Sequence, residues 1–168
     1  MRDESDNGPV RNTRRERLAD ALQDFIVDRK PTSYIVLAFN REIKMEVARR
    51  ALSVFSMMVD RYCLGRDFSK SRRKRFDYIA TPEHVDSNFH WNLAGRLPSK
   101  LKRMGRPMAQ AVFSDLFKRI CPSGTVKYRR VFDSERLAKY ITKEVPSGGV
   151  LETFVIASEF HRRQKRCR

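Results

Sequence analysis

The chain has 168 residues, 40% of them hydrophobic, a formal net charge of +16 and a pI near 10.4. That length suits one domain with a real core, and that apolar content excludes a wholly disordered chain. The charge implies a polyanionic partner, nucleic acid by default, and no apolar run reaches the ~20 residues a membrane span requires. The first residues, MRDESDNGPVRNTRRERL, carry charge without an apolar stretch behind it, so no secretory leader is expected. Cys63, Cys121 and Cys167 are odd in number, far apart and without a Cys-x-x-Cys pair. They argue against a zinc ribbon or a disulfide framework and fit a reducing, cytoplasmic setting.

Residues 1–12 are polar around a Gly-Pro break and are expected to be a disordered tail, followed by a single domain over 13–160 and a basic tail over 161–168. Leu18, Leu22, Phe25 and Ile26 recur at helical spacing and predict a helix from Arg14 to Val27, which Lys30-Pro31-Thr32 breaks. The continuous apolar run from Ser33 to Phe39 predicts a central strand. Asn40 is the expected cap of a helix from Glu42 to Tyr62, with Val47, Ala51, Val54, Phe55, Met58 and Tyr62 inward and Leu64-Gly65 as its stop. Next comes RDFSKSRRKR, in which Arg66, Lys70, Arg72, Arg73, Lys74 and Arg75 face a single acid. It is either a solvated loop or a contact for a phosphate backbone.

The stretch FDYIATPEHVDSNFHWNLAGRL, residues 76–97, predicts a hairpin. Strand side chains alternate between faces, so Phe89, Trp91, Leu93 and Leu97 share one face while His90, Asn92, Ala94 and Arg96 share the other. On the preceding strand Phe76, Tyr78 and Ala80 form the apolar set, and Asp77, Ile79, Thr81 and Glu83 the opposite one. With Val85–Asn88 as the turn, His84 falls opposite Phe89 and Glu83 opposite His90. Glu83, His90 and Asn92 then crowd one polar patch that could hold a hard divalent cation. A plain cross-strand Glu–His pair accounts for the same residues.

Beyond the hairpin, Lys100, Lys102 and Arg103 add cations around a Pro and a Gly. A helix is predicted over Met108–Ile120 with Ala111, Val112, Leu116 and Ile120 inward. A strand follows over Thr125–Phe132, from which Lys127, Arg129 and Arg130 project. Asp133 or Ser134 caps a helix running to about Val145, with Leu137, Ile141 and Val145 as its buried stripe, and a last strand covers Val150–Ile156. The order β-α-β-β-α-β-α-β predicts an α+β fold. It would be an antiparallel sheet of about five strands flanked by helices, most simply on one face, around a ferredoxin-like β-α-β-β-α-β core.

Tyr140 and Lys143 lie three apart on that last helix, and helical neighbours at that spacing meet. A packed tyrosine beside a solvated lysine explains the pair; so does a phenol whose ionisation a cation eases. Of the other tyrosines, Tyr34 and Tyr78 fall on strand faces assigned to the core, and Tyr62 closes the apolar stripe of the long helix.

Three segments in order resemble the HUH endonucleases, in particular rolling-circle replication initiator proteins. Tyr34–Asn40 resembles the family's opening apolar strand. Glu83 followed by His90-Trp91-Asn92 resembles its metal motif, an upstream acid and then His–hydrophobic–His. Leu137-Ala-Lys-Tyr-Ile-Thr-Lys143 resembles its Tyr-x-x-Lys helix. Asn92 departs from the pattern, standing where the family usually has its second histidine. The resemblance implies metal-dependent nicking and strand transfer on single-stranded DNA or a replication-origin hairpin. Tyr140 would be the nucleophile, Lys143 its electrostatic partner, and Glu83, His90 and Asn92 the ligands of one Mg²⁺ or Mn²⁺. The cations at Arg66, Lys70, Arg72, Arg73, Lys74 and Arg75 would track the strand. So would Arg96, Lys100, Lys102 and Arg103, with Lys127 and Arg129. No helicase domain follows the Tyr-x-x-Lys segment, so unwinding is expected from a separate host helicase. Two further readings stay open: a non-catalytic single-stranded DNA-binding regulator on the same fold, and an RNA-binding module of the same strand order.

Overall fold

The computed structural model describes residues 14–71, 74–143 and 154–161, with Arg15 by its backbone alone. In chain order the elements are α1 (Arg14–Asp28), β1 (Ser33–Ala38), α2 (Met45–Leu64), β2 (Asp77–Glu83), β3 (His90–Arg96) and α3 (Ser99–Met104). They are followed by α4 (Arg106–Lys118), β4 (Thr125–Arg130), α5 (Ser134–Ile141) and β5 (Val155–Ile156). The fold is α+β. The five strands form one antiparallel sheet in the order β4-β1-β3-β2-β5, and the first four keep the ferredoxin-like sequence. Residues 1–12, Arg72, Arg73, Val145 and the basic tail beyond His161 lie outside the described residues.

Helices cover both faces of the sheet rather than one. On the first face Ile35, Leu37, Trp91 and Leu93 pack against Phe55 of α2 and Phe113 of α4. On the second, Ile79 and Ala94 receive Leu22 and Ile26 of α1 together with Leu137 and Ile141 of α5. Each of these last two helices carries its own apolar stripe and needs a surface to bury it. Ile79 and Ala94 offer only a small one. The rest of that face carries the polar strand residues from which the candidate site is built.

The buried stripes of the long helices are rotated by one position from the expected ones. α2 buries Ala48, Leu52 and Val59 beside the expected Ala51 and Phe55 and leaves Val47 half-exposed; α4 buries Ala109, Phe113 and Phe117 beside the expected Leu116 and leaves Ala111 exposed. Runs such as Val47-Ala48 and Met57-Met58-Val59 fill two adjacent faces at a 3.6-residue period, so periodicity alone does not choose between them. Asn40 does not cap α2. Its backbone is left-handed at φ 56°, and its amide donates to the Ser123 carbonyl at 2.7 Å, while the extended Lys44 stands at the cap position with no side-chain cap bond. A short helix, α3, carries Lys100, Lys102 and Arg103, for which the sequence predicted no element.

Arg75 is a structural residue, not a phosphate contact. It is buried, with Nε 2.5 Å from Oδ2 of the fully buried Asp60, whose Oδ1 accepts the Phe76 backbone N–H at 2.7 Å. A buried carboxylate must be paired, and Arg75 is the basic residue that reaches it. His161 Nε2 lies 3.9 Å from the same acid, where burial and the Arg75 charge push the imidazole pKa down. At Gly95 a Cβ would sit 2.3 Å from the Asp77 carbonyl oxygen, so β2 and β3 approach too closely there for any side chain.

Candidate metal centre and the cavity around it

The hairpin pairs in the register read from its sequence: Glu83 stands opposite His90, and Thr81 opposite Asn92. Glu83 is buried, His90 half-buried and Asn92 buried. The residues whose donor atoms converge are Glu83, His84 and His90, within 4.8 Å of one another. A carboxylate and two imidazoles in that space could hold a metal ion. His84 enters the group because its backbone is left-handed, at φ 54°. Regular alternation would send it to the core face beside Phe89. The positive φ instead turns its ring edge-on to His90, with centroids 5.5 Å apart.

Asn92, expected as the third ligand, has both ends of its amide engaged. Its Oδ1 accepts the Tyr34 hydroxyl at 2.7 Å and its Nδ2 donates to Glu83 Oε2 at 2.9 Å. It holds the carboxylate in place. The other oxygen, Oε1, lies 2.5 Å from Lys143 Nζ and 3.8 Å from His84 Nε2. Burial pushes the Glu83 carboxyl pKa up. The hydrogen bonds from Lys143 and Asn92, with the charges of Lys143 and His84, outweigh it and hold the group below the ordinary carboxylate value. Glu83 is therefore ionised at neutral pH and suited to a cation.

Tyr140 stands on α5, whose N-terminus Asp133 caps by accepting the Arg136 backbone N–H. Leu137, Ala138 and Ile141 anchor the helix inward, which leaves Tyr140 48% exposed at the rim. Lys143 Nζ sits 4.6 Å from the Tyr140 ring centroid, so one ammonium touches both the phenol and the carboxylate. Tyr34 does not face the core as expected. Its ring meets Tyr140 edge-on at 6.0 Å on the second face of the sheet. Burial, then the neighbouring Tyr140 and Glu83, push its ionisation far above the usual phenol range, so Tyr34 stays a hydrogen-bond donor.

These groups share a cavity of about 840 Å³ in which Lys127, Arg129, Arg130 and Arg136 join Lys143. Lys127 and Arg129 project from β4 on the same face as Tyr34 and Val36, because neighbouring strands keep their alternation in step. Arg136 and His84 were not among the expected site residues. Arg136 sits one helical turn before Tyr140, a spacing that places the two on one face. The other expected contacts lie elsewhere. Arg66 and Lys74 are exposed, and Lys70 pairs with Asp67 at 3.3 Å, on the loop that packs beside α2. Arg96 pairs with Asp77 at 3.1 Å, and Lys100 donates to the Tyr62 carbonyl at 2.9 Å. Lys102 borders a smaller cavity, and Arg103 is exposed on α3. Among the described residues no helix is long and apolar enough to cross a membrane. No protein-family model matches the chain, and no curated protein and no solved structure does either.

Proposed function

We propose that this protein nicks single-stranded DNA and transfers the strand through a covalent 5′-phosphotyrosine at Tyr140, as an HUH-type replication initiator would. One observation carries the reading. An exposed phenol, a lysine that touches it, and the Glu83–His84–His90 group share one strongly basic cavity. Tyr34, the other phenol in that cavity, is tied to Asn92 and hard to ionise, which leaves Tyr140 as the nucleophile.

In this reading Tyr140 Oη attacks the backbone phosphorus. The new P–O bond to tyrosine replaces the P–O3′ bond, whose electron pair stays with the 3′ oxygen. The proton lost by the phenol ends on that oxygen, giving a free 3′ hydroxyl. Lys143 stabilises the phenolate and the charge developing on the phosphate. Arg129 and Lys127 hold the flanking phosphates in line. Because one phosphodiester replaces another, attack by a 3′ hydroxyl reverses the step and joins strands. A divalent cation, Mg²⁺ or Mn²⁺, held by Glu83, His84 and His90 would supply Lewis-acid polarisation of a phosphate oxygen.

The test is incubation with a pool of single-stranded DNA and Mn²⁺, followed by a denaturing gel. A covalent protein–DNA band, lost in Tyr140→Phe and retained in Tyr34→Phe, is the expected result. A second reading, metal-free binding of single-stranded DNA without cleavage, is favoured by the engagement of both Glu83 oxygens by Lys143 and Asn92. Salt-sensitive binding with no adduct under any divalent metal would select it.

A further inference from the structure

Phe132 is the most exposed large apolar side chain among the described residues, at 93%, and it stands between two cavities. An isolated exposed phenylalanine needs no explanation, but its surroundings here do. Arg130, Val131 and Phe132 form a ridge that borders both the 840 Å³ cavity at the metal candidate and a second cavity of about 270 Å³. The Val131 backbone N–H donates to the Thr32 carbonyl at 3.0 Å, fixing the base of the ridge to the sheet. On the far side Lys102 of α3 supplies a cation, and Leu97, Leu101 and the buried Tyr128 supply an apolar lining. The volume lies just under the ~300–1,000 Å³ that drug-sized ligands occupy, which suits one planar ring system.

We propose that this ridge and the cavity behind it form a nucleobase subsite for the same single strand, separate from the nicking centre. One base of the DNA stacks on the Phe132 ring and its neighbour enters the second cavity. Arg130 and Lys102 hold the phosphates on either side. The features required are an exposed aromatic face, a cation on each flank and an apolar slot, which together bind unpaired bases with little regard to sequence. Phe132 directly precedes Asp133, the cap of the helix that carries Tyr140. From Ser134 to Tyr140 the helix rises about 9 Å. A base held at Phe132 therefore sets which phosphate reaches Tyr140. The inference rests on single-stranded DNA being the ligand of the larger cavity.

The experiment places 2-aminopurine at each position in turn of a single-stranded oligonucleotide and titrates it with the full chain, without metal. In the wild type the probe should report stacking at one or two adjacent positions. Phe132→Ala should abolish that signal and raise Kd roughly five- to 150-fold, the equivalent of about 1–3 kcal/mol per stacked base. Phe132→Trp should restore both. Because the ring is exposed, the thermal midpoint should not move. Wild-type binding with an unchanged probe profile and Kd in Phe132→Ala overturns the subsite and leaves the nicking reading intact. No wild-type binding to any single strand overturns both. If Phe132→Ala changes sedimentation of the free protein but not DNA binding, the ring serves a protein contact and the subsite is wrong.

Discussion

Lys143 Nζ lies 2.5 Å from Glu83 Oε1, so the lysine beside the exposed tyrosine is also the counter-ion of the buried carboxylate in the group that could hold a metal ion. One ammonium thus takes up an oxygen of a group that could hold a metal ion. The two would compete for the same oxygen.

Lys143→Met should therefore act in opposite directions on two measurements. Calorimetric Mn²⁺ affinity should rise, by up to about fivefold, since a half-exposed ion pair is worth no more than roughly 1 kcal/mol. The rate of adduct formation should fall, because the phenolate loses its partner. Weaker Mn²⁺ binding in the variant would mean that the lysine organises the carboxylate instead of competing for it.

Asn92 should behave as a structural clamp. Asn92→Ala leaves the half-buried Tyr34 hydroxyl and the buried Glu83 Oε2 without the partners they now have. A loss of about 1–3 kcal/mol in a denaturant titration, with an unchanged m value, is expected. Tyr34→Phe, which removes one of those bonds, should cost less. Equal and negligible losses would show that the amide network contributes nothing.

Salt dependence should separate the two basic regions. Each phosphate contact to a single strand contributes about 0.7 to the log–log slope. Lys127→Ala with Arg129→Ala, in the cavity, should flatten it by about 1.4. Arg66→Ala with Lys70→Ala, on the loop beside α2, should leave it where it was. A slope that responds to the loop pair and ignores the cavity pair would put the DNA on the other face of the molecule.

Cys63 should be a slow thiol. Burial pushes its pKa up, the nearby Lys100 opposing and Asp60 assisting, to about 11. Against an ordinary thiol at about 8.5, its thiolate fraction near neutral pH is down roughly 300-fold. Site-resolved alkylation followed by mass spectrometry should show labelling at Cys63 that climbs with pH through about 11. A plateau near pH 9 would mean that the thiol is open to water.

The hairpin register was legible because a short polar connection and strict alternation pair Glu83 with His90, although six residues, 84–89, join the strands where a four-residue turn was expected. The same rule hid His84, since a left-handed residue breaks the alternation and nothing in the letters marks it. Tyr34 was misplaced for the opposite reason. The run SYIVLAF has no alternation to read, and only the neighbours contributed by β3 and β4 decide which face holds the polar group. Arg136 was within reach, one turn from Tyr140, but an arginine at a helix start is ordinary until β4 brings Lys127 and Arg129 alongside. The placement of helices on both faces was not legible, because apolar stripes on α1 and α5 say that a surface is needed and not which one.

The Asp60–Arg75 pair closes the segment leaving α2 back onto the helix it came from, and Gly65, at φ 77°, opens that segment with a sharp turn. Both ends are thus pinned to one helix, on the face of the sheet opposite the cavity. Closing a longer loop costs little, about 0.6 kcal/mol for each doubling. The segment can accordingly be lengthened at modest cost where the 3-10 turn Phe68–Lys70 is kept, since the Phe68 ring lies 5.1 Å from the Arg75 guanidinium. A fluorescent domain or an affinity tag grafted between the exposed Gly65 and Arg66 should leave the Phe68–Arg75 contact, the hairpin and the helix behind it undisturbed.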